Sequence, residues 1–322
     1  MKIAVVKPCG GAFHYIAQGF INAFNAIGEE AYFWNGKPET FNNPDLYIGC
    51  SGHRQEIPKN WTGKIAIHVN PYGDRLEPLH GIDINESRDA IRWTLDQKPD
   101  IVFGYGLQED GATFWKNWAN FVGCPTAGDA TIYYPEKADV DYEIAFLGGR
   151  WPYKGNNIDK WFVPVAKKLG KKVAIHGWGG WQGFDNYKGP LPESDCGRVF
   201  LSSANVCPCV CEPHTTVYGI DIPERFFKAA LCGSLPVLDK IEGFDRYCSE
   251  FVMASNPSNY IDLVTNYACN PDYIDEGRQL AKMIRKEVLA KHTYFNRMMG
   301  LCTGLNFENI VKKFEEKIKT LA

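Results

Sequence analysis

The chain is 322 residues long, 45% hydrophobic and 23% charged, which describes a folded protein with material for two domains of ordinary size. Its formal net charge of -3 excludes a surface that is basic all over, as in a general nucleic-acid binder, but leaves room for a local basic groove. No apolar run is long enough to cross a bilayer, and the one in MKIAVVKPCGG is too short for the core of an export signal. The 11 cysteines are an odd number without such a signal, so reduced thiols in a cytoplasmic compartment are expected.

Lys2–Val6 reads as a first strand, with Pro8-Cys9-Gly10-Gly11 as a tight turn after it. Phe13, Ile16, Phe20, Phe24 and Ile27 then recur at helical spacing, Gly28 closes the helix, and Ala31–Trp34 is a second strand. A strand, glycine turn, helix and strand in that order open a doubly wound α/β domain. Leu46–Gly49, Lys64–Val69 and Asp100–Gly104 continue it as strands, and Phe114, Trp115, Trp118 and Phe121 are expected on the core side of one helix. Tyr134–Tyr142 breaks the pattern and reads as a linker, giving expected domains over 1–138 and 139–305 with a last helical segment over 306–322.

The second domain opens with Glu143–Leu147 as a buried strand, then a helix over Ile158–Leu169 and a strand over Lys172–His176. The glycine- and tryptophan-rich HGWGGWQG follows, and Arg198–Val206 reads as a further buried stretch. In DIPERFFKAALCGSLPVL, Asp221 and Glu224 have capping-box spacing, Pro223 falls in the first turn, and Gly233 ends the helix before a strand at Leu235–Leu238. The helix is otherwise built for burial, so the charged cluster Glu224, Arg225 and Lys228 must pair internally or hold a ligand. Phe251–Ala254 and three helical segments, the last over Phe307–Leu321, complete the chain.

Two constellations carry chemistry. In FLGGRWPYKGN a strand end and a glycine pair, with Gly149, lead to Arg150 and Lys154 before a helix. Glycines admit a phosphate to backbone N–H groups, a helix N-terminus adds partial positive charge, and the two cations would neutralise a diphosphate. A solvated loop with two surface cations is the alternative. In the first domain His14 stands beside Gly10 and Gly11, and His68 lies shortly before Asp74; these are the candidate catalytic groups, since imidazole suits general-base work near neutral pH. CPCVCEPH, Cys207 to His214, lacks the spacing of a structural zinc site and is expected to be a loop lining a cleft, with His214 on its wall.

GGRWPYKG resembles the G-R-x-x-x-K-G turn of GT-B glycosyltransferases, and Pro223 to Val237 resembles their donor-site helix and strand. The resemblance is closest to the CgeB-like (spore maturation) group, through His176-Gly177-Trp178, Ala204-Asn205 and His292-Thr293-Tyr294 before Arg297, and covers roughly the second half of the chain. It implies an α/β fold of two Rossmann-like domains facing a central cleft, with the acceptor on the first domain, the donor on the second, and the last helix crossing back. It also implies a nucleotide-diphosphate sugar co-substrate, a UDP-sugar first and a GDP- or dTDP-sugar otherwise, and no essential cofactor or metal. Arg150 and Lys154 would hold the diphosphate, Arg225 would face the nucleotide, and Gly177 and Trp178 would lie near the base. Lys228 departs from the glutamate that many retaining members use for the donor ribose, since an ammonium accepts no hydroxyl hydrogen; it binds phosphate or pairs with Glu224 one turn back. The expected activity is sugar transfer to a glycan, a small molecule or a modified nucleic-acid base. A nucleotide-sugar epimerase of the same fold, and a non-catalytic module that binds nucleotide-sugar or nucleic acid, are the alternatives.

Overall fold

The computed structural model describes residues 1–9, 12–69, 84–115, 120–191 and 194–321, with backbone alone at 84–87 and 194–195. The chain divides into two compact units, Met1–Thr131 with Tyr294–Ala322, and Ile132–Thr293. No helix of the described residues is long and apolar enough to cross a membrane.

In unit 1, β1 (Lys2–Val6), β2 (Glu30–Trp34), β3 (Leu46–Cys50), β4 (Lys64–His68), β5 (Ile101–Gly104) and β6 (Phe121–Gly123) form one sheet in the order β2-β1-β3-β4-β5-β6. Every pairing is parallel, with Ile3 opposite both Ala31 and Leu46. Such strands are covered on both faces, which is why β1 and β3 read as unbroken apolar runs. The connecting helices are α1 (Ala12–Asn25), α2 (Ile84–Asp96) and the single turn α3 (Gly111–Phe114). Phe13, Ile16, Phe20 and Phe24 of α1 are buried, as their spacing requires. The helix expected through Phe121 is corrected: Trp115 caps α3, Phe121 opens β6, and their rings stack at 4.8 Å. Over so short an apolar run the two periodicities are not separable. Trp118 lies outside the described residues.

In unit 2, β7 (Ile144–Leu147), β8 (Val173–His176), β9 (Val206–Cys209), β10 (Leu235–Leu238) and β11 (Val252–Met253) form a second parallel sheet, ordered β11-β10-β9-β7-β8. Its helices are α4 (Pro152–Trp161), α5 (Val163–Leu169), α6 (Ser194–Ser203), α7 (Pro213–Tyr218), α8 (Glu224–Cys232), α9 (Pro257–Cys269) and α10 (Pro271–Lys291). The single helix expected over Ile158–Leu169 is two, because Pro164 cannot continue α4 and instead sits in the first turn of α5. The stretch Arg198–Val206 is the end of α6 and the start of β9. The CPCVC run is a strand and its exit rather than a loop: β9 passes through Pro208, paired along its length with β10 but with β7 at Val206 alone.

The chain then returns to unit 1 as α11 (Tyr294–Gly304) and α12 (Glu308–Lys319). Tyr294, Phe295, Met298, Leu301, Cys302, Ile310 and Phe314 join the core built on β1, β3 and α1. The Tyr294 ring lies so close over α1 that a Cβ on Gly19 would stand 2.2 Å from it.

Candidate functional site

The order of sheet β11-β10-β9-β7-β8 has a reversal: the chain steps outward from β7 to β8, then crosses to β9 on the other side of β7 and continues to β10 and β11. The crevice at the carboxyl ends of the two strands flanking such a reversal is where open α/β sheets bind ligands. Gly148 leaves β7 there, Cys211 and Glu212 follow β9, and Asp239 follows β10.

Arg225 and Lys154 are the buried cations of this edge, 7% and 5% exposed. Arg225 stands in the first turn of α8, whose residues from Arg225 to Cys232 are all buried and which packs on α6, α10 and β10. Its Nε donates to the Leu147 carbonyl, and its guanidinium lies over the Phe146 ring at 4.3 Å. Nη1 is buried with no hydrogen-bond partner among the described residues. Gly148 makes the guanidinium's position accessible, since a Cβ there would fall 2.0 Å from Nη2. Lys154 Nζ lies 3.6 Å from Glu212 Oε1 and 5.1 Å from the centre of the Trp151 ring. Burial lowers its pKa, against the attraction of Glu212.

Asp239 is fully buried. Oδ2 accepts the Cys211 N–H at 3.0 Å, whereas Oδ1 has no partner among the described residues. Burial raises its carboxyl pKa to about 6, an effect that the bonds from Cys211 and the charges of Lys154 and Arg225 only partly oppose. His214, 1% exposed and three residues after Cys211, is held between two groups: Nε2 lies 3.0 Å from Asp221 Oδ2 and Nδ1 3.3 Å from the Tyr153 hydroxyl. Burial pushes that hydroxyl up to about 12. Side-chain ligand atoms of Glu212, His214 and Asp221 lie within 4.8 Å of one another.

The other sequence-predicted residues have different surroundings. Arg150 donates Nε and Nη2 to Asp159 and Nη1 to the Gly180 carbonyl, a bidentate ion pair that braces the loop after β8. The Gly148 N–H goes to the His176 carbonyl and the Arg150 N–H to Trp178, so these two turn amides are occupied. Gly149 and Gly177 serve the same close approach. A Cβ on Gly149 would meet Trp151, and one on Gly177 would stand 2.0 Å from the Gly148 carbonyl oxygen. Trp178 is 50% exposed, its ring 5.3 Å from that of Trp151 and nearly parallel to it. Lys228 pairs with Glu224 at 2.7 Å and lies over the Tyr133 ring. Asp221 caps no helix: α8 begins at Glu224 with Pro223 as N-cap and no side-chain cap bond, and the Asp221 carboxylate turns to His214 instead.

In unit 1, His14 is half-buried and stacks on Phe33 at 5.5 Å. His68 is 0% exposed among Phe13, Phe103 and Tyr105, and burial lowers its pKa to about 3, so it is a neutral core imidazole. Gly10, Gly11 and Asp74 lie outside the described residues. Asp239, Glu212 and Tyr153 were not anticipated. The available signal was position: Asp239 and the Glu212–His214 pair each follow directly on a short buried strand.

Three solved structures of similar fold share 10–12% identity with this chain. The DNA-modifying enzyme β-glucosyltransferase, solved with and without uridine diphosphoglucose, has a TM-score of 0.59 at 12% identity over 97% of this chain and 99% of its own. The catalytic domain of starch synthase IV from Arabidopsis thaliana, bound to ADP and acarbose, has a TM-score of 0.56 at 10% identity over 97% and 99%. AviGT4, a glycosyltransferase of avilamycin A biosynthesis, has a TM-score of 0.55 at 12% identity over 99% and 98%. At such identity the likeness concerns the fold, which is GT-B. No curated protein matches the sequence. A family described as glycosyl transferase-like matches residues 141–303, half of the chain and nearly all of unit 2, including the β7–β9 edge with Arg225, Lys154 and Asp239. The chain therefore belongs to the glycosyl transferase-like family.

Proposed function

We propose that the protein moves a sugar from a nucleotide-diphosphate sugar, bound by unit 2, to an acceptor bound by unit 1. The observation that carries the donor assignment is Arg225 Nη1, a charged donor buried without a partner among the described residues at the sheet's switch point. Leaving such a group unmet costs about 1–3 kcal/mol or more, and an anion placed there recovers it. Lys154 stands at the same edge. The N-terminus of α4 adds N–H groups that its N-cap, Trp151, does not satisfy with a side chain. Fixed positive charge of this kind stabilises a departing diphosphate. Trp178, exposed beside Trp151, offers a face for the base. A UDP-sugar is the first donor to test, and within the family the His176-Gly177-Trp178 and His292-Thr293-Tyr294 motifs favour the CgeB-like group.

Arg150 is assigned a bracing role, since Asp159 and Gly180 engage its guanidinium. The test is thermal stabilisation and hydrolysis with UDP-, GDP- and dTDP-sugars. Saturation at a hundred times the dissociation constant adds about 2.7 kcal/mol of stability. Arg225→Ala is expected to weaken UDP binding by about 10- to 100-fold, the loss of one charge-assisted contact, with the melting temperature of the free protein retained. Arg225→Lys tests whether charge alone suffices. Wild-type UDP affinity in both variants would remove the assignment.

A further inference from the structure

We propose that Glu212, His214 and Asp221 form a divalent-cation site of the Mn2+ type on the rim of the Arg225–Lys154 anion site. The site rests on its own geometry; its action on a diphosphate rests on the donor reading above.

The donor atoms already have the spacing of a shared ion. His214 Nε2 and Asp221 Oδ2 are 3.0 Å apart, and two ligands at about 2.1 Å from one ion in adjacent octahedral positions are separated by about that distance. Glu212 contributes its oxygen within the same 4.8 Å cluster. Its ion pair with Lys154, at 3.6 Å, is too long for a strong hydrogen bond and leaves lone pairs for a metal. Behind the imidazole, the Tyr153 hydroxyl meets Nδ1 at 3.3 Å, the outer contact that fixes a ligating histidine. A hydroxyl serves either tautomer. Without metal it donates to Nδ1 while Nε2–H faces Asp221; with metal on Nε2, the proton sits on Nδ1 and the hydroxyl accepts it. One imidazole with two carboxylates is a mixed nitrogen and oxygen set, between the all-oxygen preference of Mg2+ and the nitrogen and sulfur preference of Zn2+.

A second observation concerns charge. The cations at this edge, Lys154 and Arg225, share it with the carboxylates of Glu212 and Asp239, and Asp221 stands beside Glu212. The pairs Arg150–Asp159 and Lys228–Glu224 are internally balanced and add nothing. An incoming diphosphate therefore meets an anion-binding donor, Arg225 Nη1, with no partner among the described residues, at an edge where nearby carboxylates offset the two cations. A doubly charged ion on the three ligands tips that balance toward positive. The expectation of no essential metal rests on fixed positive charge doing a metal's work on the leaving group, and CPCVCEPH is judged there on its cysteine spacing, without Asp221.

The test is a Mn2+ titration of the full chain, read by the EPR signal of free Mn2+, with and without UDP. Wild type is expected to bind one ion without UDP, with a nitrogen coupling in pulsed EPR that His214→Ala abolishes. Asp221→Asn and Glu212→Gln should each weaken Mn2+ by about tenfold or more while unfolding at wild-type temperature. Asparagine tolerates the left-handed backbone of residue 221 (φ 57°), so that variant keeps the test sharp even if the other two fold poorly. UDP should tighten Mn2+ in wild type and not in Arg225→Ala. Absence of bound Mn2+, or wild-type Mn2+ affinity in Asp221→Asn, would overturn the site and assign the three residues to bracing the turn before α8. Mn2+ binding without any UDP binding would uphold the site and defeat the donor reading instead.

Discussion

A buried carboxyl beside two buried cations makes the proposed anion site responsive to pH. Asp239 has its pKa raised to about 6 by burial, so it is neutral in acid and charged above. For an acid shifted upward, the stability it lends the fold is full below about pH 4 and is lost as pH rises through about 6. Ionisation also sets a negative charge against the diphosphate proposed to bind at Arg225 and Lys154. Asp239→Asn keeps an acceptor for the Cys211 N–H but removes that charge. Calorimetry with UDP should therefore show the variant and wild type binding equally at pH 5 and the variant about tenfold tighter by pH 8. Equal affinities across the whole range would separate Asp239 from the anion site. At this scale the sequence is least informative. Arg150 and Arg225 are the same residue type, and only folding shows that one guanidinium is engaged by Asp159 and Gly180 while Nη1 of the other has no partner among the described residues.

Among the elements, the turn after β7 and the turn after β8 are interlocked through glycines whose substitutions should separate binding from folding. A methyl group on Gly148 meets the end of the Arg225 side chain, which can swing aside, so Gly148→Ala should weaken UDP as much as Arg225→Ala does and change the melting temperature little. A methyl group on Gly177 meets the Gly148 carbonyl, which is backbone, so Gly177→Ala should destabilise unit 2 by about 1–3 kcal/mol. Denaturant unfolding of both variants checks the contrast. The strands were legible because a parallel sheet covered on both faces demands apolar runs such as Ile3–Val6 and Leu235–Leu238. Elements went unread where a local signal competed. Pro208 hid β9, and the Asp221–Glu224 spacing imitated a capping box although α8 starts at Glu224. Phe121 fitted the helical spacing of Phe114 while belonging to β6. The exposure of Trp178 and the convergence of Glu212, His214 and Asp221 arise from tertiary packing, which periodicity does not encode.

Across the whole chain, unit 1 is discontinuous and unit 2 is a single uninterrupted segment. Tyr294, Phe295, Met298, Leu301 and Phe314 are nearly or fully buried in the unit 1 core. At about 1.5–3 kcal/mol for each such side chain, their removal is comparable to the entire net stability of a domain, about 5–15 kcal/mol. Truncation after Thr293 should abolish the cooperative unfolding of unit 1, whereas residues 132–293 expressed alone should fold and unfold cooperatively, both followed by circular dichroism. A cooperative unit 1 in the truncated chain would show that α11 and α12 are dispensable to it. The same interposition has a consequence for biosynthesis. A ribosome finishes all of unit 2 before it delivers the last two helices that unit 1 requires, a delay on the order of ten seconds at about 5–20 residues per second. Throughout that interval the nascent amino-terminal strands lack their final covering layer, which makes them the expected place for a chaperone to dwell while the later segment is still being made.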